Sequence, residues 1–361
     1  MNEELAILKR EAIDVLRELI SLDSISKVEW KTASAISKFM AEKGLETTRV
    51  KNNVFAVNKF YDPAKFTILL NSHHDTIKPN SGYSKDPFNP HIENGKLFGL
   101  GSNDAGGALV SLLCVFLFYY KKEDLRFNLV FAATAEEEIS GRDGIESIFS
   151  FLSPIDCAIV GEPTQMQMAV AERGLMVIDC IALGKAGHAA RNEGENALYK
   201  AINDIVWIKN YSFEKVSELL GEVKMSVTSI ETENKAHNVV PASCKYIVDV
   251  RVNELYTLDN VLETLKIHLQ SEVKPRSMRL KSSFIDLDHP LVKAGLDLNL
   301  NVYGSPTTSD KSLMLFPALK IGPGDSARSH MADEFIYVSE IEEAVDLYIQ
   351  LLDRVQFEQK K

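Results

Sequence analysis

Cysteine is scarce and scattered in this chain. The 361 residues hold four, Cys114, Cys157, Cys180 and Cys244, each in an apolar run and none in a C-x-x-C pair. Nothing there resembles a disulfide framework, so they read as buried thiols and the expected compartment is a reducing one, the cytoplasm. Basic charge is also short. Lys and Arg total 40 against 51 Asp and Glu, a net charge of −11, which disfavours a nucleic-acid partner. Long apolar runs are missing too. The longest, residues 108–120, falls short of the about 20 residues that a membrane-spanning helix needs, and no membrane partner is expected. The N-terminus, MNEELAILKREAIDVLRELISL, carries acid early and apolar residues at helical spacing (Leu5, Leu8, Ile13, Leu16, Ile20). It lacks the basic start and unbroken apolar centre of a secretion signal. No internal repeat, low-complexity stretch or long linker is evident.

What is present is enough chain for about two domains. Residues 1–165 alternate apolar strand-like runs (67–70, 127–133, 158–160) with helical segments such as 108–120. That order reads as an α/β layered domain with a mainly parallel sheet. From about residue 169 the pattern changes to strand 176–183, helix 196–209, strands 224–230 and 245–252, helix 258–270 and strand 278–284. This β-α-β-β-α-β order is that of a ferredoxin-like unit. A helix at 290–299, a short buried strand at 317–321 and an amphipathic helix at 339–354 then resume the first domain. The expected division is a discontinuous catalytic domain, 1–168 and 286–361, with a lid inserted at 169–285.

Four of the apolar runs end in metal-type side chains. Residues 67–70 lead into Asn71-Ser-His-His-Asp75, and 129–133 into Thr134-Ala-Glu-Glu-Glu138. Residues 158–160 lead into Gly161-Glu162-Pro163, and 319–322 into a loop that reaches His330. Asp104 follows Gly99-Leu-Gly-Ser-Asn and precedes Gly106-Gly107 and a helix. Ligands of open α/β sheets bind beyond the carboxyl ends of the strands. A cluster of charge there is costly unless paired or bound to metal. Histidine with carboxylate and no thiolate suits Zn²⁺ or another borderline divalent ion, and carboxylates can bridge two of them.

These residues, in this order, resemble the co-catalytic zinc aminoacylases and deacylases, the family of acetylornithine deacetylase, succinyl-diaminopimelate desuccinylase and carboxypeptidase G. The likeness covers nearly the whole chain. It is carried by His73-x-Asp75, Gly101-x-x-Asp104-x-Gly-Gly, Glu137-Glu138, Gly161-Glu162-Pro163, Gly187-His188, Asn238-x-x-Pro241 with Asp249-Val-Arg251, and Gly322-Pro-Gly followed by His330. The resemblance implies a zinc-peptidase-like catalytic domain and a ferredoxin-like lid that also dimerises. It implies two Zn²⁺, with Co²⁺ or Mn²⁺ as substitutes. His73 and Glu162 would hold the first ion, Glu138 and His330 the second, and Asp104 both. Asp75 would orient His73, and Glu137 would be the general base. Glu136 with Glu137 is the other register of the acidic run. His188 would donate to the oxyanion, often across a homodimer. Arg251 and Asn238 would hold the substrate's carboxylate, and Gly304 and the turn with Thr308 and Ser309 would contact substrate. The chain departs from many relatives at Leu100, at Ala105-Gly106-Gly107 and after His188, where the usual proline is absent.

Plainer readings stand beside these. His74 reads as packed or solvent-facing, since its neighbour takes the ligand role, and His91, His237, His268 and His289 have no partner pattern and read as structural or surface residues. Arg251 has a surface ion pair as its plain reading. Gly106 and Gly107 suit a closely packed helix start. The expected activity is deacylation of a small N-acyl amino acid, N-acetylornithine or N-acetylcitrulline or an N-succinyl equivalent, in arginine biosynthesis. A di- or tripeptidase or a succinyl-diaminopimelate desuccinylase of the same fold is the near alternative, and a metal-free binding protein the distant one.

Overall fold

A computed structural model describes residues 3–357 apart from residue 192. The chain forms two compact units. The first comprises Met1–Val170, Ile285–Tyr303 and Ser309–Lys361, and the second Ala171–Phe284 with Gly304–Thr308.

The first unit is built on a sheet whose strands run, in spatial order, Thr48–Val50, Asn53–Val57, Phe127–Thr134, Phe66–His73, Cys157–Val160, Ala318–Lys320 and Met168–Glu172. The central four are parallel. Their side chains are buried almost throughout, as expected of a sheet covered on both faces. Helix Gly107–Tyr120 is apolar on all sides and packs under the sheet, flanked by Glu3–Ile20 and Val338–Arg354. With the preceding turn it forms a stretch, Ser102–Tyr120, long and apolar enough to cross a membrane, but 83% of that stretch is buried in the fold. It is a core helix. The parallel arrangement places the carboxyl ends of all four central strands on one edge, and there the chain deploys its acids and histidines.

In the second unit the strands Lys224–Thr232, Ser243–Val252, Gly174–Leu183 and Glu272–Pro275 lie side by side in that order, all antiparallel. This is ferredoxin-like strand order. Met176, Ile178, Cys180 and Ala182 alternate into the core with Cys244, Tyr246, Val248 and Val250, under helices Ala197–Asn210 and Leu258–His268. The helices start as their sequences dictate: Asn196 accepts from the N–H of Leu198, and Thr257 forms a capping box with Asn260. The fourth strand is not at 278–284 as the sequence suggested. Glu272–Pro275 takes that place, with one branched apolar residue and a proline tolerated because the strand is an edge. Ser283–Phe284 pairs elsewhere, with Glu172 and Ala171.

Candidate metal centre

His73 is the last residue of the central strand Phe66–His73 and is fully buried. Its Nδ1–H donates to the main-chain carbonyl of Asp75 at 3.0 Å. That leaves the Nε2 lone pair facing Oδ1 of Asp104 at 3.4 Å, Oε2 of Glu137 at 3.9 Å and Oε1 of Glu162 at 4.0 Å. On the far side of Asp104, Nε2 of His330 lies 3.6 Å from its Oδ2 and 3.0 Å from Oε2 of Glu138. His73, Asp104 and Glu138 form one tight donor group, and His73, Glu137 and Glu162 another. Asp104, reached from both histidines, stands between the two ends of the cluster.

The acidic turn explains how adjacent acids share one site. The strand ends at Thr134, and Glu136 adopts a left-handed backbone with φ 56°. Its carboxylate turns back toward the N–H of Asp143, while Glu137 and Glu138 swing into the cluster. His330 is also left-handed, φ 62°. Such backbone is uncommon outside glycine and collects at functional sites.

Asp75 lies behind His73 with two acceptors: its main-chain carbonyl takes the shorter hydrogen bond from Nδ1–H at 3.0 Å, and its carboxylate Oδ1 lies 3.5 Å from the same nitrogen. The carboxylate also faces the acidic loop. It accepts from the N–H of Glu137 at 3.0 Å, the N–H of Glu138 at 3.2 Å and the hydroxyl of Ser26 at 2.7 Å. Burial pushes the Asp75 carboxyl up, but hydrogen bonding to His73 and to Ser26 outweighs it and holds the group below the ordinary range.

Charge balance is the test of whether ions fit here. Burial pushes Glu137 well above the ordinary carboxylate range, and Glu162 and Asp310 add to the rise. Burial likewise raises Glu138. The Glu138 carboxylate in turn draws His330 up to about 9. Carboxylates outnumber the imidazoles, and an imidazole lone pair is aimed among them. Divalent cations supply the missing positive charge, and oxygen and nitrogen donors without thiolate suit two of them.

Three neighbours escaped the sequence reading. Asp310 is buried, accepts from the Thr134 hydroxyl at 2.7 Å, and is pushed by burial up to about 6. Glu334 is buried beside Asp104, and burial with that charge pushes it up to about 8. Glu29 is buried near Asp75 and Glu136, and among the described residues neither of its carboxylate oxygens is in ordinary hydrogen-bond geometry. None lies in an apolar periodic run, and burial of an acid by distant segments leaves no local trace. His74 points away from the cluster, between the Thr32 hydroxyl and the Asn52 carbonyl, each at 2.9 Å, and burial lowers it to about 4.

The remaining expected residues fall in or next to the second unit. Gly187–His188 pairs with Val239–Val240, and the N–H of Ala189 donates to the Asn238 carbonyl, so His188 and Asn238 are neighbours. Arg251 is engaged by Asp249, two residues back on the same strand face, at 2.8 and 3.2 Å. The Thr308 hydroxyl donates to the Arg173 carbonyl at 3.2 Å. The Ser309 hydroxyl accepts from the N–H of Lys311, capping a short helical turn in the first unit. At Gly304 a Cβ would come within 2.4 Å of the Leu219 carbonyl oxygen, a packing reason for glycine.

The sequence profile of peptidase family M20/M25/M40 matches residues 69–354, a span that contains every donor described. The chain belongs to that family. It is 25% identical to succinyl-diaminopimelate desuccinylase of Rickettsia bellii over 93% of this chain and 95% of that protein. Among solved structures it resembles aminopeptidase PepT of Bacillus cereus, with TM-score 0.77 and 17% identity over 96% of this chain and 98% of that one. It also resembles the YXEP protein of Bacillus subtilis, a dinuclear metal-binding peptidase of the M20 family, with TM-score 0.73 and 15% identity over 96% and 98%. At such identities the structures establish the fold, a zinc-peptidase-like domain with a ferredoxin-like insertion. M20 membership and the donor cluster make the protein a metal-dependent hydrolase.

Proposed function

We propose that this M20 hydrolase cleaves the linear amide bond of an N-acylated amino acid. The observation that carries the reading is the place of Glu137: a part-buried carboxylate whose Oε2 lies 3.9 Å from His73 Nε2, grouped with Glu162 and not needed to complete the Asp104–Glu138–His330 end of the cluster. Two bound divalent ions, Zn²⁺ first, would supply the charge that polarises an amide carbonyl and acidifies a water. His73 and Glu162 would hold one ion, Glu138 and His330 the other, and Asp104 both. Glu137 would take a proton at its carboxylate from the attacking water and deliver it to the departing amine nitrogen. Asp75 keeps Glu137 and Glu138 in place through their N–H groups. By the resemblance, His188 donates to the oxyanion and Arg251 with Asn238 takes the substrate's carboxylate, as a guanidinium fork does well.

N-acetylornithine and N-acetylcitrulline are the substrates we favour, and the Rickettsia relative brings succinyl-diaminopimelate forward beside them. Amine release is to be measured from these, from N-succinylornithine and from dipeptides, on chelator-stripped protein with and without added Zn²⁺, Co²⁺ or Mn²⁺, and on the His188→Ala and Arg251→Ala variants. Metal-dependent release from an acyl amino acid, weakened in both variants, is expected. Cleavage of dipeptides alone would overturn the deacylase reading.

We also infer a homodimer through the second unit. Tyr199, Ile202 and Val206 form an exposed apolar stripe on helix Ala197–Asn210, and Ile230 is exposed on the edge strand Lys224–Thr232. Sedimentation is expected to give twice the chain mass, and a monomer at micromolar concentration would refute it.

A further inference from the structure

Asp104 has no regular element to hold it. It lies in the irregular turn between Gly101 and the core helix, with φ −116° and ψ 97°. A ligand shared by two ions nevertheless has to be fixed closely, because small displacements of a donor weaken both sites at once. What fixes it comes from 230 residues away in the chain. Oε1 of Glu334 accepts from the N–H of Asn103 at 2.8 Å and from the N–H of Asp104 at 2.9 Å. Oε2 accepts from the N–H of Gly101 at 3.0 Å. Three N–H groups of one turn thus converge on a single buried carboxylate, a backbone nest of the kind that binds anions, here filled by the protein itself.

The carboxylate is in turn held rigidly. The Glu334 carbonyl accepts from the N–H of Gly99 at 3.0 Å, and the next residues, Phe335–Tyr337, pair with Lys96–Phe98. Glu334 follows His330 by four residues, so the same segment carries a donor and the brace for its neighbour. Asn103 adds a second tie. Its amide oxygen accepts from the N–H of Asp325 and its amide nitrogen donates to the Asp325 carbonyl, both at 3.0 Å.

We propose that Glu334 is a positioning residue of the metal centre: by gathering the N–H groups of Gly101, Asn103 and Asp104 it sets the Asp104 carboxylate at a fixed place relative to His330. This rests on the reading of Asp104 as the shared ligand. Glu334 does not touch substrate and acts only through Asp104. Outer partners of metal ligands typically influence affinity by about 10–100-fold.

The test is titration calorimetry of Zn²⁺ into chelator-stripped protein, read beside the thermal midpoint, kcat and KM, for wild type, Glu334→Ala, Glu334→Gln and Asp104→Asn. Glu334→Ala is expected to weaken binding of at least one ion by roughly tenfold or more and to lower kcat with KM nearly unchanged. Glu334→Gln keeps one acceptor oxygen and is expected to fall between, and it carries the test if the alanine variant does not fold. If the Glu334 variants lose thermal stability but bind both ions as wild type does, while Asp104→Asn loses one, Glu334 is merely structural and the proposal fails alone. If Asp104→Asn also binds both ions unchanged, the ligand reading fails and the proposal with it.

Discussion

Glu29 offers a sharp test of the electrostatics around the acidic turn. Its side chain is fully buried, and among the described residues neither oxygen makes a hydrogen bond of ordinary geometry. Burial, followed by the charges of Asp75 and Glu136, pushes its pKa from an ordinary 4.5 to about 7. The folded protein therefore keeps a proton on Glu29 between about pH 4.5 and 7, where the unfolded chain releases it. The folded state binds more protons in that window, so this group's contribution to stability falls as pH rises through it and is constant above. The gap between 4.5 and about 7 converts to roughly 3 kcal/mol. The residue lies just beneath the surface, which makes that figure a ceiling. Glu29→Gln removes the ionisation and keeps the shape. Unfolding by urea is to be followed for both proteins at pH 5 and pH 8. The variant is expected to gain stability relative to wild type on going to pH 8, by up to roughly 3 kcal/mol. Any cost of burying the amide is the same at both pH values and cancels from the comparison. An equal difference between the two proteins at pH 5 and pH 8 would refute the reasoning.

Two further outcomes follow from the same geometry. Glu137→Gln is expected to retain both ions by calorimetry while turnover falls by about 10²–10⁴-fold, and normal turnover would sink the base assignment. In the second unit, buried Asp204 accepts from the N–H of Gln270, the N–H and hydroxyl of Ser271 and the hydroxyl of Tyr246. Asp204→Ala leaves these donors unmatched and is expected to destabilise that unit by about 3 kcal/mol, read from Trp207 fluorescence during urea unfolding. An unchanged midpoint would contradict the accounting.

The strand runs were legible because a buried parallel strand has to be continuously apolar, and because the donors sit immediately after such runs. That logic marked the stretches 71–75, 134–138 and 161–163 from local pattern, and the family resemblance chose His73, Glu137, Glu138 and Glu162 within them. It located His330 only as a late histidine in a loop, and Asp104 only through its glycine neighbours. The braces were illegible for a physical reason. Glu334 is buried by a turn 230 residues distant, and Glu29 by a turn that follows a different strand, so neither leaves a periodic or compositional mark. Arg251 shows the converse. Its suitability for a carboxylate was readable, but its engagement with Asp249 required the strand to be seen. The misplaced fourth strand of the second unit has the same origin: Glu272–Pro275 has little strand character of its own and is recruited by the pairing edge of Gly174–Leu183.

The interrupted first unit has a consequence for how the molecule comes into being. Ala171–Phe284, the bulk of the second unit, is one continuous segment and is synthesised before Ala318–Lys320 slots in beside Cys157–Val160. The strand that completes the central sheet, the histidine at 330 and the brace at 334 all emerge late. A nascent chain halted before them holds His73, Asp104, Glu138 and Glu162 without their last partners. If His330 holds the second ion as proposed, capture of that ion waits for the late segment and reports that distant parts of the chain have found each other.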